Sequence, residues 1–212
     1  LSSVEAGGGR RTADAYAASH LGLAPIVVFA DPNGAIRNDT ECVDGRRGLA
    51  ETYMTEDIPN FVQSTYGASP DPKQHVIAGL SAGGTCALLV ALRRPDVYRT
   101  FIDLSGDLGP NIGDKAHTID ALFSGDTVAW DAHDPLTLLA RRPYPELTAW
   151  IAAASGETSH LVIAEQIAKA TQAAGIDTTY VVRPGKHNFA FWAASLREAF
   201  TWVCGRLDFG AR

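Results

Sequence analysis

Serine, histidine and carboxylate side chains form a catalytic set only when the fold brings them together, so their positions relative to predicted elements matter more than their number. The serine that stands out is Ser81, in Gly79-Leu-Ser-Ala-Gly83. A short apolar run, Val76-Ile77-Ala78, reads as a buried strand before it, and an Ala- and Leu-rich stretch to Leu92 reads as a helix after it. A G-x-S-x-G pattern in that strand–turn–helix context is a nucleophile elbow. The chain must reverse within one or two residues, leaving the hydroxyl exposed at a strained tip. Gly79 and Gly83 are expected to let neighbouring backbone approach where a Cβ would clash. The amide of Ala82, at the helix start, would point to where a carbonyl oxygen gains negative charge.

A serine hydroxyl is hardly ionised at neutral pH and needs a base. His187 is the histidine of choice, in Gly185-Lys-His-Asn-Phe189 after the last predicted strand. His20, His75, His117 and His133 read better as surface or core histidines; His75 falls at the wrong end of its strand. His160 is the rival base. Glu157, just past the strand Leu147–Ala154, is the candidate for the carboxylate that fixes the imidazole tautomer and stabilises the imidazolium. Its competing role is a helix N-terminal carboxylate. Asp177 opens its strand, and so belongs to the far edge, while Asp131 and Asp134 precede the strand in question. Phe189, Trp192 and Trp130 could wall an acyl pocket, although packing is the commoner fate of an aromatic.

The elements that must position these groups alternate. Residues 12–20 read as a helix and Pro25–Ala30 as a buried strand, ending in the turn Asp31-Pro-Asn-Gly34. A polar loop holds Cys42 and Gly45-Arg-Arg-Gly48. Residues 49–66 read as a helix with Leu49, Tyr53, Ile58, Phe61 and Val62 as its apolar positions and a break or kink at Pro59. Ser69–Pro72 is a loop. After the elbow helix come a turn at Pro95-Asp96, a strand Thr100–Gly106, and an insertion over 107–147 with short helices at Thr118–Phe123 and Leu136–Arg141, expected to face substrate. Strand Leu147–Ala154, helix 158–174, strand Thr178–Val182 and helix Phe189–Leu207 complete the chain. Such alternation predicts an α/β fold, a mostly parallel sheet with helices on both faces, and chemistry at the carboxyl ends of the strands. Ser81, Glu157 and His187 all fall on that rim.

The chain of 212 residues fits a single domain, 1–212, and its 46% hydrophobic and 20% charged content is that of an ordinary globular protein. A net charge of −6 with no basic run argues against nucleic acid. No apolar stretch is long enough for a membrane span, and Leu1-Ser-Ser-Val-Glu5 has neither the charged start nor the apolar block of a signal peptide. Cys42, Cys86 and Cys204 show no metal spacing, so no metal or cofactor is expected. Three buried reduced thiols are one reading of them.

The order Ser…Glu…His is that of the α/β-hydrolases. The chain resembles their esterase-D-like branch, which includes S-formylglutathione hydrolases, feruloyl esterases, enterochelin esterases and the antigen 85 mycolyltransferases. The resemblance rests on Leu49–Pro59, Gly79-Leu-Ser-Ala-Gly-Gly84, Arg94-Pro-Asp-Val-Tyr98, Leu104-Ser-Gly106 and Gly185-Lys-His-Asn-Phe-Ala-Phe-Trp192. It is similar above all to actinobacterial esterase domains attached to membrane-spanning segments, which implies an extracytoplasmic setting. It implies Ser81, His187 and Glu157 as a triad, Ala82 as one oxyanion donor, and a small-molecule, lipid or sugar ester as substrate. Acyl transfer to a sugar or lipid hydroxyl, and a catalytically silent binding domain, are the alternatives. It also implies further N-terminal strands, missing from this sequence, with a loop that supplies the second oxyanion amide; a longer parent chain is expected to carry them. Cys42 and Cys86 would then lie close enough for a disulfide bracing the elbow.

Overall fold

The computed structural model describes residues 7–35 and 37–209. The opening stretch Leu1–Glu5, read above for targeting signals, lies outside the described residues. The architecture is a parallel four-stranded sheet between two helical layers. Its strands are β3 (Val76–Leu80), β4 (Thr100–Leu104), β5 (Thr148–Ala154) and β6 (Asp177–Arg183), adjacent in that order. β1 (Asp44–Gly45) and β2 (Gly48–Leu49) form a separate two-residue hairpin across Arg46-Arg47.

Alternation along the strands sorts the core into two layers, because successive side chains leave opposite faces of a strand. Phe101, Ala149, Ile151 and Ala153 pack against α3 (Ala82–Arg93) and α7 (Thr158–Ala173). Ile102, Leu104, Trp150, Ala152 and Ala154 face α8 (Phe189–Cys204), with Ala13 and Tyr16 of α1 (Gly9–Ser19) at the margin. β5, with its run of alanines, is buried on both faces from Ala149 to Ala154, as a central parallel strand requires. The 107–147 insertion folds into α4 (Lys115–Phe123), α5 (Thr127–Asp131) and α6 (Pro135–Arg141). Asp114, Asp126 and Asp134 cap their N-termini with side-chain oxygens, which explains the scattered aspartates of that stretch.

Two expectations are corrected. Pro25–Ala30 does not form a buried strand: it joins no ladder, and Ile26, Val27, Val28 and Phe29 are 38–51% exposed. β propensity reports how well a side chain packs against cross-strand neighbours, and none of the described residues supplies them here. The free edge falls to β3, where only Ile77 is buried. Second, the helix α2 does run from Ala50 to Tyr66, as Ala50–Thr52, a π-helical Tyr53–Asp57 and Ile58–Tyr66. The widened turn ends two residues before Pro59, which has no N–H for the regular ladder. Its supposed apolar face, however, leaves Leu49, Tyr53 and Phe61 exposed. The helix is fixed instead by polar anchors: Glu51 bonds Arg93 Nε at 2.8 Å, and Tyr98 donates to the Met54 carbonyl at 2.6 Å.

Candidate active site

Ser81 stands where the sheet becomes a helix. Its amide still donates to the Leu104 carbonyl, in the manner of a sheet residue, at 3.0 Å. Its carbonyl already accepts from Gly84 at 2.7 Å and Thr85 at 3.2 Å, as a helix start does. Reversal within one residue forces φ 53°, ψ −127° on a non-glycine residue, a strain of order 1–3 kcal/mol. The two motif glycines differ. A Cβ on Gly79 would lie 2.0 Å from the Gly83 carbonyl oxygen, whereas a Cβ on Gly83 would meet nothing within 4 Å. Only Gly79 is required for close approach, which corrects the expectation for Gly83. The N–H of Ala82, the first residue of α3, is among those a helix leaves without an internal acceptor, and the residue is exposed.

His187 reaches Ser81 from the far side of the sheet. β3 and β6 are its opposite edges, three inter-strand spacings or roughly 14 Å apart. The loop after β6 folds back over the end of β5, with Gly156 N–H donating to the Gly185 carbonyl at 3.0 Å. A Cβ on Gly156 would sit 2.4 Å from that oxygen, so glycine makes the crossing possible. Asn188 then caps α8 by accepting from Phe191 N–H at 3.1 Å, which fixes the residue after the histidine. The result is an Oγ–Nε2 separation of 2.9 Å between Ser81 and His187. Burial, and then the neighbouring His160, push the His187 pKa below its ordinary 6.5, against the pull of Glu157 and Asp107. The ring is thereby kept neutral, as a base must be.

Glu157 ends on the same rim but does not bond His187. Its carboxylate accepts from Ser159 Oγ at 3.0 Å and lies 3.9 Å from His160 Nδ1. His187 Nδ1 is buried and has no hydrogen-bond partner among the described residues. The rival base His160 reaches the site too, at the His187 ring: the two centroids are 4.0 Å apart. Trp192 sets its ring edge-on to His187 at 4.7 Å, and Phe189 packs edge-on to Trp192 at 5.2 Å. Trp130 is elsewhere, buried with Phe123, Leu122 and Leu89 under the short helices; the pocket role expected for it is corrected. Asp177 lies at the opposite end of β6 and is exposed.

Sequence reasoning passed over three acids. Asp107, just beyond β4, acts on both imidazoles, and its Oδ1 is 3.7 Å from His160 Nε2. Its position on the carboxyl rim was a usable signal. Glu41, almost wholly buried, is pushed up to about 8 by burial and by Asp39, with Asp107 adding to the effect. Asp103 lies under the elbow helix, accepts from Gly106 N–H at 2.7 Å, and is pushed up to about 7 by burial. Cys42 and Cys86 form a disulfide that ties the segment before β1 to the elbow helix, and Cys204 is a buried free thiol.

A serine–histidine contact recurs on unrelated folds, so it takes the surrounding chain to discriminate among them. A strained serine between a parallel strand and a helix, with its histidine after the last strand, is the arrangement of α/β-hydrolases. The chain belongs to the family described as "Putative esterase", which matches residues 4–203. It is 32% identical over 206 residues to the uncharacterized Corynebacterium glutamicum protein Cgl0967/cg1104, covering 94% of this chain and 48% of that one. It is 26% identical over 157 residues to the S-formylglutathione hydrolase of Paracoccus denitrificans, covering 73% and 56%. The chain thus spans about half the length of the curated relatives it matches. Among solved structures, a ferulic acid esterase superposes with a TM-score of 0.74 over 96% of this chain and 79% of that one; at 17% identity this speaks for the fold alone.

Proposed function

We propose that the chain hydrolyses carboxylic esters through an acyl-enzyme on Ser81. The observation that carries this reading is the 2.9 Å contact between Ser81 Oγ and His187 Nε2, made from opposite edges of the sheet at a strained elbow. His187 takes the hydroxyl proton as Ser81 attacks the carbonyl, then returns it to the leaving alcohol. Water, deprotonated by the same ring, releases the acid. The Ala82 amide faces the developing oxyanion at the positive end of α3. Glu157 contributes through charge: its carboxylate favours the imidazolium that forms on His187. Phe189 and Trp192, beside the imidazole, offer an apolar wall for an acyl or aryl group. The disulfide supports an oxidising, extracytoplasmic setting.

A fluorophosphonate probe tests the reading directly. Ser81 is expected to be labelled in the wild type and nothing in S81A, with p-nitrophenyl acetate hydrolysis lost in parallel. Labelling absent from the folded wild type would refute a nucleophilic serine. Adding alcohol acceptors separates the fates of the acyl-enzyme: free acid as the sole product supports hydrolysis, and a dominant transferred ester would overturn it.

A further inference from the structure

The imidazole of His187 lacks the support its role calls for. A catalytic histidine ordinarily donates its Nδ1–H to a carboxylate, which fixes tautomer and ring plane. Here Nδ1 is buried without a partner among the described residues, and Glu157 is turned to the Ser159 hydroxyl. What holds the ring is aromatic. His160 lies against it, centroids 4.0 Å apart and planes 32° from parallel, and Trp192 presents its edge at 4.7 Å and 83°.

His160 is built to stay there. On α7 it shares a face with Ala164 and Ile167, four and seven residues on, both buried in the core. Its Nε2 faces Asp107 at 3.7 Å from the loop after β4, and its Nδ1 faces Ser159 Oγ at 3.5 Å and Glu157 at 3.9 Å from its own helix end. From the loop after β6 it faces His187, which also packs against the uncharged Trp192 of α8. Among the described residues, His160, Glu157 and Asp107 are the charged or titratable groups that act on His187.

We infer that His160 is a positioning residue, whose ring holds the His187 imidazole with Nε2 toward Ser81 in place of a direct carboxylate contact at Nδ1. The inference rests on the esterase reading of the same site. The two ring centroids are 4.0 Å apart, so His160 limits how far the imidazole can swing away from its 2.9 Å contact with Ser81.

The experiment compares H160A and H160F with the wild type by kcat, KM and pH dependence on p-nitrophenyl acetate, and by the rate of fluorophosphonate labelling. H160A removes the ring and is expected to lower kcat and the labelling rate about tenfold or more, the equivalent of about 1.4 kcal/mol, with KM changed little. H160F keeps an aromatic face without a titratable nitrogen. It is expected to recover kcat to within about threefold, the equivalent of about 0.6 kcal/mol. An H160A that labels and turns over like the wild type, with the same pH profile, overturns the inference and leaves the esterase reading standing. So does an H160F as slow as a folded H160A. Should H160A fail to fold, H160F decides alone: a kcat and labelling rate about tenfold or more below the wild type, with the protein folded, overturns the inference. A wild type that does not label at all refutes the esterase reading, and the inference falls with it.

Discussion

Substituting the two glycines of the Gly79-Leu-Ser-Ala-Gly83 motif one at a time tests whether the elbow is the strained, closely packed turn described above. In G79A the new Cβ would stand 2.0 Å from the Gly83 carbonyl oxygen and 2.1 Å from its carbon, where non-bonded carbons settle at about 3.5–4.0 Å. Both partners are backbone, so no side chain can rotate away, and the elbow must open by more than about 1 Å. Overpacking of this kind costs about 3 kcal/mol, which for a chain of this size lowers Tm by about 6–12 °C. The same displacement moves Ser81 and the Ala82 amide, and a misplacement of about 1 Å costs about 100-fold in rate. G83A is the contrasting case. Its Cβ meets nothing within 4 Å and its backbone is helical, so stability should be unchanged or up to about 1 kcal/mol better, and activity within a few-fold of wild type. Calorimetry and p-nitrophenyl acetate turnover measure both. If G83A destabilised the protein as much as G79A, or if G79A melted and turned over like the wild type, the account of the elbow would be wrong.

The Cys42–Cys86 disulfide closes a loop spanning 44 positions, worth about 4 kcal/mol by the chain-entropy relation; reduction should lower Tm by about 8–16 °C. Thiol titration in denaturant without reductant should find one thiol, Cys204; three would contradict the pairing. Because burial and His160 depress His187 below 6.5, the acid limb of kcat/KM should have its midpoint below pH 6.5. A midpoint above 7 would show that Glu157 and Asp107 outweigh burial. E51Q strips a buried carboxylate from Arg93 and His133 and should cost about 3 kcal/mol in urea unfolding, far more than an exposed pair such as Lys169–Glu165. Burial alone would raise Glu51, but His133 and Arg93 together hold it low. Its contribution is therefore complete above the unfolded carboxyl value of about 4.5 and fades as pH falls through the lower folded one, a difference that E51Q should erase.

The parallel core was legible because its signals are local and mutually consistent. β4, β5 and β6 are short apolar runs closed by Ser-Gly or Pro-Gly, and helices with caps or apolar faces follow them. The elbow carried its own geometry in its spacing. What failed depended on neighbours. Ile26–Phe29 has the composition of a buried strand and no ladder to join. Leu49, Tyr53 and Phe61 have helical spacing, yet the helix is held by Glu51 and Met54 on its other side. Trp130 is as apolar as Trp192, and only the third dimension puts one beneath the short helices and the other against His187. His160 sits near Glu157 in the chain, and that proximity suggested a competing base rather than a ring packed against the base.

The distance between Ser81 and His187 is set by the whole sheet rather than by either loop. Their strands are the two edges, so the contact sums three strand spacings, the sheet's twist and the return of the β6 loop. That return is pinned where the Gly185 carbonyl rests on the Gly156 amide beside Glu157. The Ser155–Glu157 turn therefore does two things at once: it lets the histidine loop cross, and it starts the helix that carries His160. A fold that needs both from three residues has little room for side chains there, which accounts for a glycine between the serine and the glutamate. It also explains why the carboxylate closest in sequence to this crossing ends on Ser159 and His160 rather than on His187 itself.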